Sequence, residues 1–324
     1  MIDEQYTVCT RCMTYNQESY ILDAIKGFVM QETSFPVVSV IVDDASTDNE
    51  PQVILGYFNE HFEINDSSVA YQEETDYGKI YYARHKINKN CYFAIMILKE
   101  NHYSKKKKKS QYYSRWTDNS KYIALCEGDD YWTDPHKLQK QVDFLEAHKD
   151  YSMCFHSASI RNETERKILL NCESIQEREY LPSDVFPNWV VPTASIVYRQ
   201  KEVLGYPLKH REWFCPGDIV LILRCMHVGR VWGMSEQMSV YRMNNESVTA
   251  QTTKFDFSER MSRHYEALMI NFPEVDREFC NRYISSFHYT RFRKEKNLDK
   301  KIKHLKTAIR FSPRYVFHKL LRIS

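Results

Sequence analysis

The sequence of 324 residues predicts an α/β protein: an open sheet flanked by helices, with a helical extension at the C-terminal end. Short apolar runs alternate with helical patterns in the first 148 residues, as in a sheet whose strands are joined by helices. Residues 37–42 (VVSVIV) are a continuous, mostly β-branched run, which is typical of a strand buried on both faces. After residue 257 the apolar residues recur at helical spacing within a basic segment.

The first elements follow from local patterns. Residues 7–13 form a short β-prone run, and residues 18–31 place apolar side chains on one helical face. The strand at residues 37–42 is followed by a helical pattern at residues 52–62. Residues 122–126 predict another buried strand.

A further helix is expected after this strand. Asp134 and Pro135 supply an N-cap and a proline at the first helical position, so the helix should run to about residue 148. In open α/β sheets, ligands bind beyond the carboxyl ends of the strands. Candidate functional residues are therefore sought where each strand ends.

Composition excludes several classes of protein. Hydrophobic residues make up 43% of the chain and there are only 8 glycines, which excludes a wholly disordered or collagen-like chain. No uncharged stretch approaches the roughly 20 residues of a membrane-spanning helix. The chain begins Met-Ile-Asp-Glu without the features of an export signal, and its nine cysteines show no disulfide-like spacing. We therefore expect a cytoplasmic protein with reduced thiols.

Charge is distributed unevenly, although the net charge is only +2. Residues 282–324 contain thirteen Lys and Arg residues and two acidic residues, and residues 105–109 are five consecutive lysines. Two interpretations stay open for this lysine run: a solvated loop, since like charges repel, or a contact with an anionic membrane or a nucleic acid. Nucleic acid is not an expected partner, because its recognition motifs and aromatic platforms are missing.

Polar clusters follow three of the predicted strands. Residues 14–18 (TYNQE) follow the first, residues 43–48 (DDASTD) end the second, and residues 127–132 (EGDDYW) follow the strand at residues 122–126. Asp and Ser are ordinary turn and N-cap residues, so a plain turn is the alternative for the second cluster. Three acids within four residues repel each other unless a cation or hydrogen-bond donors offset them. With substrate phosphates, such carboxylates suit Mg²⁺ or Mn²⁺.

These motifs, in this order, resemble those of family 2 glycosyltransferases, which are nucleotide-sugar-dependent enzymes of the GT-A fold. The resemblance covers roughly residues 6–250 and implies a GT-A type open mixed sheet. It implies a Rossmann-like nucleotide-sugar half at residues 1–132, an acceptor half at residues 133–250 and a basic helical extension at residues 251–324. It also implies a divalent metal, Mn²⁺ or Mg²⁺, that neutralises the diphosphate leaving group.

The resemblance implies roles for individual residues. Tyr15 would flank the base, and Asp44 would accept a hydrogen bond from the base or ribose. Asp129 and Asp130 would bind the metal. Arg242 would pair with the diphosphate, because a guanidinium matches the geometry of phosphate. The nucleotide-sugar-binding set is Thr14, Tyr15, Asn16, Glu18, Asp43, Asp44, Arg84, Glu127, Gly128, Asp129 and Arg242.

The second half is expected to supply the acceptor site. Asp218 begins a helical pattern, and the resemblance makes it the general base that takes the proton of the acceptor hydroxyl; a helix N-cap is the alternative. Trp132 and Trp213 are candidate sugar platforms, with core packing as the alternative for each. Asn244 stands where the family has a histidine, so it is given no metal role.

The implied function is that of an inverting glycosyltransferase. It would move a sugar from a nucleotide diphosphate, with a UDP-sugar favoured, to a hydroxyl of a glycan or lipid-linked glycan in surface polysaccharide or lipopolysaccharide synthesis. A catalytically silent nucleotide-sugar-binding protein of the same fold is the alternative. The basic C-terminal helices have two interpretations: packing on the catalytic domain with a solvated basic face, or peripheral contact with the anionic inner face of a membrane.

Overall fold

The computed structural model describes residues 5–163, 167–169, 175–188, 190–215, 217–243 and 254–321. The chain forms two compact units whose segments alternate along the sequence. Asn244 lies outside the described residues, and the stretch predicted as the acceptor half contributes to both units. Unit 1 comprises Met1–Tyr180, Val190–Gly205 and Val228–Asn244, and unit 2 comprises Leu181–Trp189, Tyr206–His227 and Asn245–Ser324.

Unit 1 is built on a mixed sheet of twelve strands among the described residues. In chain order the strands are β1 (Tyr6–Thr14), β2 (Val37–Asp43), β3 (Ala70–Glu74), β4 (Gly78–Arg84), β5 (Cys91–Leu98), β6 (Ser120–Leu125), β7 (Tyr131–Trp132), β8 (Tyr151–Asn162), β9 (Lys167–Leu169), β10 (Arg178–Tyr180), β11 (Val197–Arg199) and β12 (Arg230–Met243). Their order across the sheet is β10-β12-β8-β11-β6-β1-β2-β5-β4-β3, with β7 beside β12 and β9 beside β8.

The α-helices are numbered in chain order. They are α1 (Ile21–Val29), α2 (Glu50–His61), α3 (Ser110–Thr117), α4 (Lys137–Ala147), α5 (Pro182–Val185), α6 (Gln200–Gly205), α7 (Gly217–Val228), α8 (Lys254–Asn271), α9 (Arg277–Lys294), α10 (Leu298–Phe311) and α11 (Pro313–Leu321). Single 3₁₀ turns lie at Thr193–Ser195 and Arg211–Trp213. Helices α1–α4 and α6 belong to unit 1, and the others to unit 2. None of the helices in the described ranges is both long enough and apolar enough to span a bilayer.

The centre of the sheet confirms the predicted α/β class. β6, β1 and β2 are parallel neighbours, and Thr14 of β1 pairs with Asp43 of β2 while Arg11 pairs with Leu125 of β6. Every residue of β2 is buried, as its apolar run predicts. Because these strands are parallel and in this register, their carboxyl ends lie together at one edge of the sheet. We call this edge the carboxyl edge.

The structure adds one central strand that the sequence analysis did not assign. β5 is parallel to β2 on one side and antiparallel to β4 on the other. Its sequence, CYFAIMIL, is a continuous apolar run, so the signal for a buried strand was present. β3 and β4 form an antiparallel hairpin that completes this side of the sheet.

Unit 2 is a helical body with its own apolar core. Leu223 of α7, Leu268 of α8 and Ile284 of α9 belong to one buried cluster. A second buried cluster joins α9, α10 and α11. The helical extension predicted for the C-terminal end is therefore present as helices α8 to α11.

Candidate functional site

Two loops leave β1 and β2 at the carboxyl edge and are tied together by hydrogen bonds. Asn16 donates its backbone N–H to Ser46 Oγ (2.9 Å), and its Oδ1 accepts from the backbone N–H of Thr47 (2.8 Å). Asn16 and Ala45 adopt left-handed backbone conformations, with φ of 53° and 63°. Asparagine tolerates this region, but alanine is strained there, so the surrounding bonds must hold the loop in shape. Tyr15 lies on this frame with 43% of its surface exposed.

A buried carboxylate, Glu50 at the start of α2, links the same two loops. Its Oε2 accepts from the backbone N–H of Gln17 (2.9 Å) and from Ser46 Oγ (2.8 Å), and its Oε1 accepts from the Thr14 hydroxyl. Burial raises the pKa of Glu50, and these hydrogen bonds act in the opposite direction. Nothing in the sequence marks Glu50 as a site residue, because an acid in the first turn of a helix is a common pattern.

Glu18 has a related structural position. Its Oε2 accepts from the backbone N–H of Asn49 (2.8 Å), and its own backbone N–H donates to Asp48 Oδ2 (3.1 Å). The side chain therefore fixes the entry to α2. The predicted contact of Glu18 with a nucleotide sugar stays a prediction.

Asp43 ends β2 and is fully buried. Its Oδ1 accepts from the backbone N–H of Ser46 (3.1 Å), whereas its Oδ2 has no hydrogen-bond partner within the described part of the chain. Burial raises the pKa of Asp43, although hydrogen bonds with Ser46 lower it. Since an unpaired buried oxygen costs free energy, a donor group of a ligand would be favourable at this point.

The next carboxylate, Asp44, is occupied by a segment of the protein itself. We call residues 99–109, which follow β5, the lysine segment. Asp44 accepts from the backbone N–H groups of His102 (2.8 Å) and Tyr103 (3.0 Å) and from Lys109 Nζ (2.8 Å). Asp44 is only 2% exposed, so in this arrangement it holds the lysine segment and does not face a base or ribose. The predicted role of Asp44 is corrected accordingly.

The acidic turn, residues 127–130, follows β6 at the same edge. Gly128 donates its backbone N–H to the carbonyl oxygen of Met13 in β1 (3.1 Å). A Cβ atom on Gly128 would lie 2.3 Å from Thr14 Oγ1 and 2.5 Å from Gln17 Oε1. Glycine at this position therefore lets the turn pack directly against the end of β1.

The carboxylates of the acidic turn are electrostatically coupled. Burial raises the pKa of Glu127 to about 7, while Arg11 lowers it and Asp129 raises it. Burial, and then the charge of Asp129, hold the pKa of Asp130 well above its ordinary value. Arg11 on β1 is the half-buried cation beside this turn, and the sequence analysis did not single it out. The ionised forms of these carboxylates are therefore disfavoured by burial and by one another, and a bound cation would favour them.

Arg242 of β12 holds the acidic turn in position. Its backbone N–H donates to Asp130 Oδ1 (2.8 Å), and its Nη1 donates to the carbonyl oxygen of Asp129 (2.9 Å). Its Nε donates to Glu163 Oε1 (2.8 Å), and its Nη2 pairs with Asp23. The guanidinium is thus engaged on several sides in a buried setting, and its pairing with a diphosphate stays a prediction.

Arg84 lies away from the carboxyl edge. It ends β4, where it pairs in register with Tyr92 at the amino end of β5. Its Nε contacts Glu63 Oε2 at 2.7 Å. The prediction that Arg84 contacts a base or phosphate at the site is corrected, because β4 runs antiparallel to β5 and carries Arg84 to the opposite edge.

Trp132 is a core residue and not a sugar platform. It is 2% exposed, its Nε1 donates to the carbonyl oxygen of Ala194 (2.8 Å), and its ring meets Phe28 edge-on at 5.0 Å. Lys137 Nζ lies 4.2 Å from the ring centroid. Gly27 allows α1 to pack closely against the backbone of Trp132, since a Cβ atom on residue 27 would lie 3.0 Å from the backbone nitrogen of Trp132. Core packing, the alternative given above, is correct for Trp132.

Trp213 and Asp218 are the predicted site residues that belong to unit 2. Trp213 is half-buried and stacks on His210, with ring centroids 4.2 Å apart. Asp218 is half-buried in the first turn of α7, and its Oδ1 accepts from the backbone N–H of Ile219 (2.8 Å). An acid is favoured at the positive end of a helix whether or not it acts in catalysis. The base and acceptor roles of these residues stay predictions.

The carboxyl edge could bind a divalent cation through only a few protein ligands. Across the described ranges, no three His, Cys, Asp or Glu side chains are grouped so as to hold a metal ion. Mg²⁺ in phosphate-binding sites commonly uses one or two carboxylates and completes its shell with phosphate and water oxygens. Asp129 is half-buried and suits this mode. Asp130 suits it less well, because it is 2% exposed and accepts from the backbone of Arg242.

Comparisons with known sequences identify only distant relatives. No protein-family model matches the chain. The chain is similar to uncharacterized proteins of Mycobacterium bovis and Mycobacterium tuberculosis, each 29% identical over 241 residues. The match covers 73% of this chain and 58% of each relative, so the chain spans little more than half the length of the curated relatives it matches.

Two glycosyltransferases of known structure share the fold. TarS from S. aureus, residues 1–349 in complex with UDP, has a TM-score of 0.52 at 14% identity, covering 95% of this chain and 81% of that one. The mannosyltransferase PcManGT from Pyrobaculum calidifontis, in complex with GDP-Man and Mn²⁺, has a TM-score of 0.50 at 11% identity, covering 98% and 88%. The fold is therefore that of GT-A-like glycosyltransferases.

Proposed function

We propose that the protein is a glycosyltransferase that moves a sugar from a nucleotide-diphosphate donor to a hydroxyl acceptor. The observation that carries the proposal is the position of the acidic turn, which follows β6 at the carboxyl edge and is hydrogen-bonded to the end of β1 through Gly128 and Met13. A metal-bound diphosphate is the kind of ligand that such a turn, beside Arg11, would favour. The fold supports this class of ligand, since TarS was solved with UDP and PcManGT with GDP-Man and Mn²⁺.

The donor nucleotide would be bound by the two loops at the carboxyl edge. Tyr15 offers an exposed ring against which a base can stack. Asp43 Oδ2, which has no partner among the described residues, would accept from an N–H of the base or a hydroxyl of the ribose, and it would have to become exposed for this contact because Asp43 is fully buried. Glu50 and Asn16 keep the loops in shape for this contact. A UDP-sugar is the favoured donor.

The diphosphate would lie at the acidic turn. Asp129, together with phosphate oxygens, would hold Mn²⁺ or Mg²⁺ there, and a bound divalent cation supplies neutralisation of the charge that develops on the leaving group. Arg242 would act as a positioning residue, because its bonds to Asp129 and Asp130 fix the course of the turn.

Asp218 is proposed as the general base, and the reaction as inverting. The acceptor oxygen would attack the anomeric carbon on the face opposite the diphosphate, and the bond to the diphosphate would break as Asp218 takes the hydroxyl proton. Proposed acceptors are glycans or lipid-linked glycans in surface polysaccharide or lipopolysaccharide synthesis, with Trp213 as a platform for the acceptor sugar.

The metal site is tested by titrating UDP and GDP into the protein with and without Mn²⁺. Asp129→Asn should weaken the Mn²⁺-dependent part of the affinity at least tenfold, since even outer-sphere partners of a metal are worth about that much. Asp143→Asn, on the exposed face of α4, is the matched control and should bind as wild type does. Equal Mn²⁺-dependent affinity of Asp129→Asn and wild type would exclude the acidic turn as the metal site.

The base is tested by Asp218→Asn, assayed for both binding and transfer. Transfer should be lost while donor affinity stays unchanged, because the base acts on the acceptor proton and not on the diphosphate. A second candidate function, a catalytically silent nucleotide-sugar-binding protein, is favoured by the contact of Asp218 with the backbone N–H of Ile219, since a structural role at the start of α7 explains this acid without a base. If wild type binds the donor but transfers the sugar to none of a panel of acceptors, the silent binding protein is the correct function.

A further inference from the structure

The last two helices of unit 2 carry apolar side chains on their surface. Leu298, Ile302 and Ile309 of α10 are 69%, 42% and 43% exposed, and Phe317 of α11 is 64% exposed. Among the described residues, six of the fifteen exposed large apolar side chains lie between residues 298 and 321. Single exposed apolar residues are ordinary, but such a concentration indicates a binding surface.

In α10 the exposed apolar residues form one stripe. Leu298, Ile302 and Ile309 are separated by four and seven residues, so they lie on the same face of the helix. The buried residue Ala308 lies on another face and packs in the helical core. The exposed basic residues that flank the stripe are Lys303, Lys306 and Arg310.

The same arrangement recurs in α11. Phe317, Leu320 and Leu321 are exposed and are spaced three and four residues apart, so they too share a face. Arg314 is exposed beside this stripe, whereas Lys319 lies on the opposite side of the helix, 5.6 Å from the centroid of the Tyr315 ring.

In α10 the stripe adjoins the face that packs in the core, because Leu305 lies on the same side of the helix and contacts the buried cluster. Lys303, Lys306 and Arg310 lie along the other border of the stripe. Each helix therefore presents apolar side chains to solvent beside its core face, with cations next to them.

The charge of these helices is not balanced within the protein. In the described part of the chain, no lysine or arginine of α10 or α11 forms an ion pair with a carboxylate. Asp299 is the sole acidic residue in the sequence of the two helices. A surface of this kind attracts an anionic partner.

A pocket between α9 and α11 adds a second anion-attracting feature. It has a volume of about 780 Å³ and lies within unit 2. Arg282, Arg314 and Lys319 line it together with the Tyr315 ring, and Glu278 is the acid in its lining. On α11, Tyr315 and Lys319 of the pocket lining lie on another side of the helix from the apolar stripe, so the pocket adds positive charge to this part of unit 2 without belonging to that stripe.

We propose that α10 and α11 are a docking surface for an anionic lipid bilayer. The exposed apolar stripes enter the interfacial layer, and the lysines and arginines beside them contact lipid phosphates. A nucleic acid would use the cations but leave the apolar stripes in water. A second copy of the chain would bring two positively charged surfaces together. The proposal concerns a partner of unit 2 and does not depend on the transferase chemistry.

The test is co-sedimentation of the full chain with phosphatidylcholine vesicles that contain or lack phosphatidylglycerol. Wild type should bind only the anionic vesicles and dissociate at high salt. The triple variant K303Q/K306Q/R310Q should bind about a hundredfold more weakly, since each basic residue contributes about fivefold near such a surface. The variant F317S/L320S should lose about tenfold or more through the missing apolar contact.

A matched control removes three positive charges elsewhere. K26Q/K79Q/K86Q changes exposed lysines of unit 1 outside residues 105–109 and should bind anionic vesicles within about threefold of wild type. All variants alter exposed residues, and equal melting temperatures would verify that they fold. The proposal is overturned if wild type ignores anionic vesicles, or if the control loses as much affinity as K303Q/K306Q/R310Q.

Two further outcomes would also overturn the proposal. One is binding to a 20-nucleotide RNA that the tail variants abolish while their vesicle binding stays at the wild-type level. The other is a concentration-dependent dimer in light scattering that F317S/L320S dissociates without any change in vesicle binding.

Discussion

Charged side chains are buried and hydrogen-bonded at the carboxyl edge of unit 1, whereas in helices α10 and α11 of unit 2 they are exposed. At the carboxyl edge, Arg242 is 5% exposed and its guanidinium and backbone contact several oxygens. Asp44 is 2% exposed and accepts three hydrogen bonds. In α10 and α11 the lysines and arginines face solvent, and apolar side chains lie beside them.

The difference shows how each region obtains its shape. A buried charge is costly unless hydrogen bonds and opposite charges surround it, so the carboxyl edge is fixed by contacts within the chain. Exposed charges remain hydrated and need no such partners. The lysines and arginines of α10 and α11 are therefore available to a partner outside the chain. Substitutions in the two regions should therefore affect different measurements.

The largest effect on stability is expected for Arg242→Ala. Removing this side chain leaves Asp23 and the Asp129 carbonyl without this donor, whereas Glu163 keeps its ion pair with Arg161 (3.1 Å). Because the lost guanidinium is buried, the substitution should cost about 3 kcal/mol. Arg310→Ala in α10 is the comparison and should change the free energy of unfolding by less than about 0.5 kcal/mol. Urea unfolding of both variants measures the difference. If both variants lost the same free energy of unfolding, the buried contacts of Arg242 would contribute no more to stability than the exposed side chain of Arg310 does.

A pH-dependent effect of intermediate size is expected for Lys137→Met. Lys137 is fully buried, its Nζ donates to Gln141 Oε1 (2.7 Å), and burial lowers its pKa to about 7. In the unfolded chain a lysine titrates near pH 10.4, so between about pH 7 and 10 the unfolded state binds more protons than the folded state. Stability of wild type should therefore rise with pH in this window, by up to about 1.4 kcal/mol per pH unit.

Lys137→Met should lack this contribution. The variant should be more stable than wild type at and below pH 7, and this difference in the free energy of unfolding should decrease by about 2 kcal/mol between pH 7 and 9. Lys79→Met, on the exposed surface of β4, is the control and should follow wild type. Parallel pH profiles for Lys137→Met and wild type would mean that Lys137 stays charged in the folded protein.

The smallest effect is expected for Asp44→Ala. The substitution leaves the backbone N–H groups of His102 and Tyr103 without their acceptor and should cost about 1–2 kcal/mol. It should also speed tryptic cleavage at residues 105–109, because the lysine segment loses its anchor at Lys109. Asp76→Ala, an exposed residue of the β3–β4 hairpin, should leave cleavage unchanged. Unaltered cleavage in Asp44→Ala would show that the segment is held by its other contacts.

The sequence was sufficient for the features that depend on local pattern. Alternating apolar runs predicted the parallel centre of the sheet, and strand-end motifs predicted that Thr14, Asp43 and the acidic turn meet at one edge. These predictions hold because parallel strands in register bring their carboxyl ends together whatever the rest of the chain does.

The features that depend on long-range pairing could not be predicted in this way. The sequence around Arg84 does not reveal that β4 is antiparallel to β5, which places Arg84 at the opposite edge. Nothing local to Asp44 reveals that a segment 58 or more residues later will occupy it. Burial of Trp132 likewise depends on Gly27 and Ala194, each distant in sequence. In each case a tertiary contact decides what a local motif leaves open.

The position of β12 between β10 and β8 has a consequence for synthesis of the chain. β12 is added after β10 and β8 have left the ribosome, yet it lies between them and extends to Met243. Until then β10 has no sheet neighbour, and Asp130 lacks the backbone donor of Arg242. At a translation rate of about 5–20 residues per second, the long nascent chain must wait several seconds between emergence of β8 and that of β12. During that interval the edge of β8 is open to other strands, which makes chaperone contact most valuable at this stage.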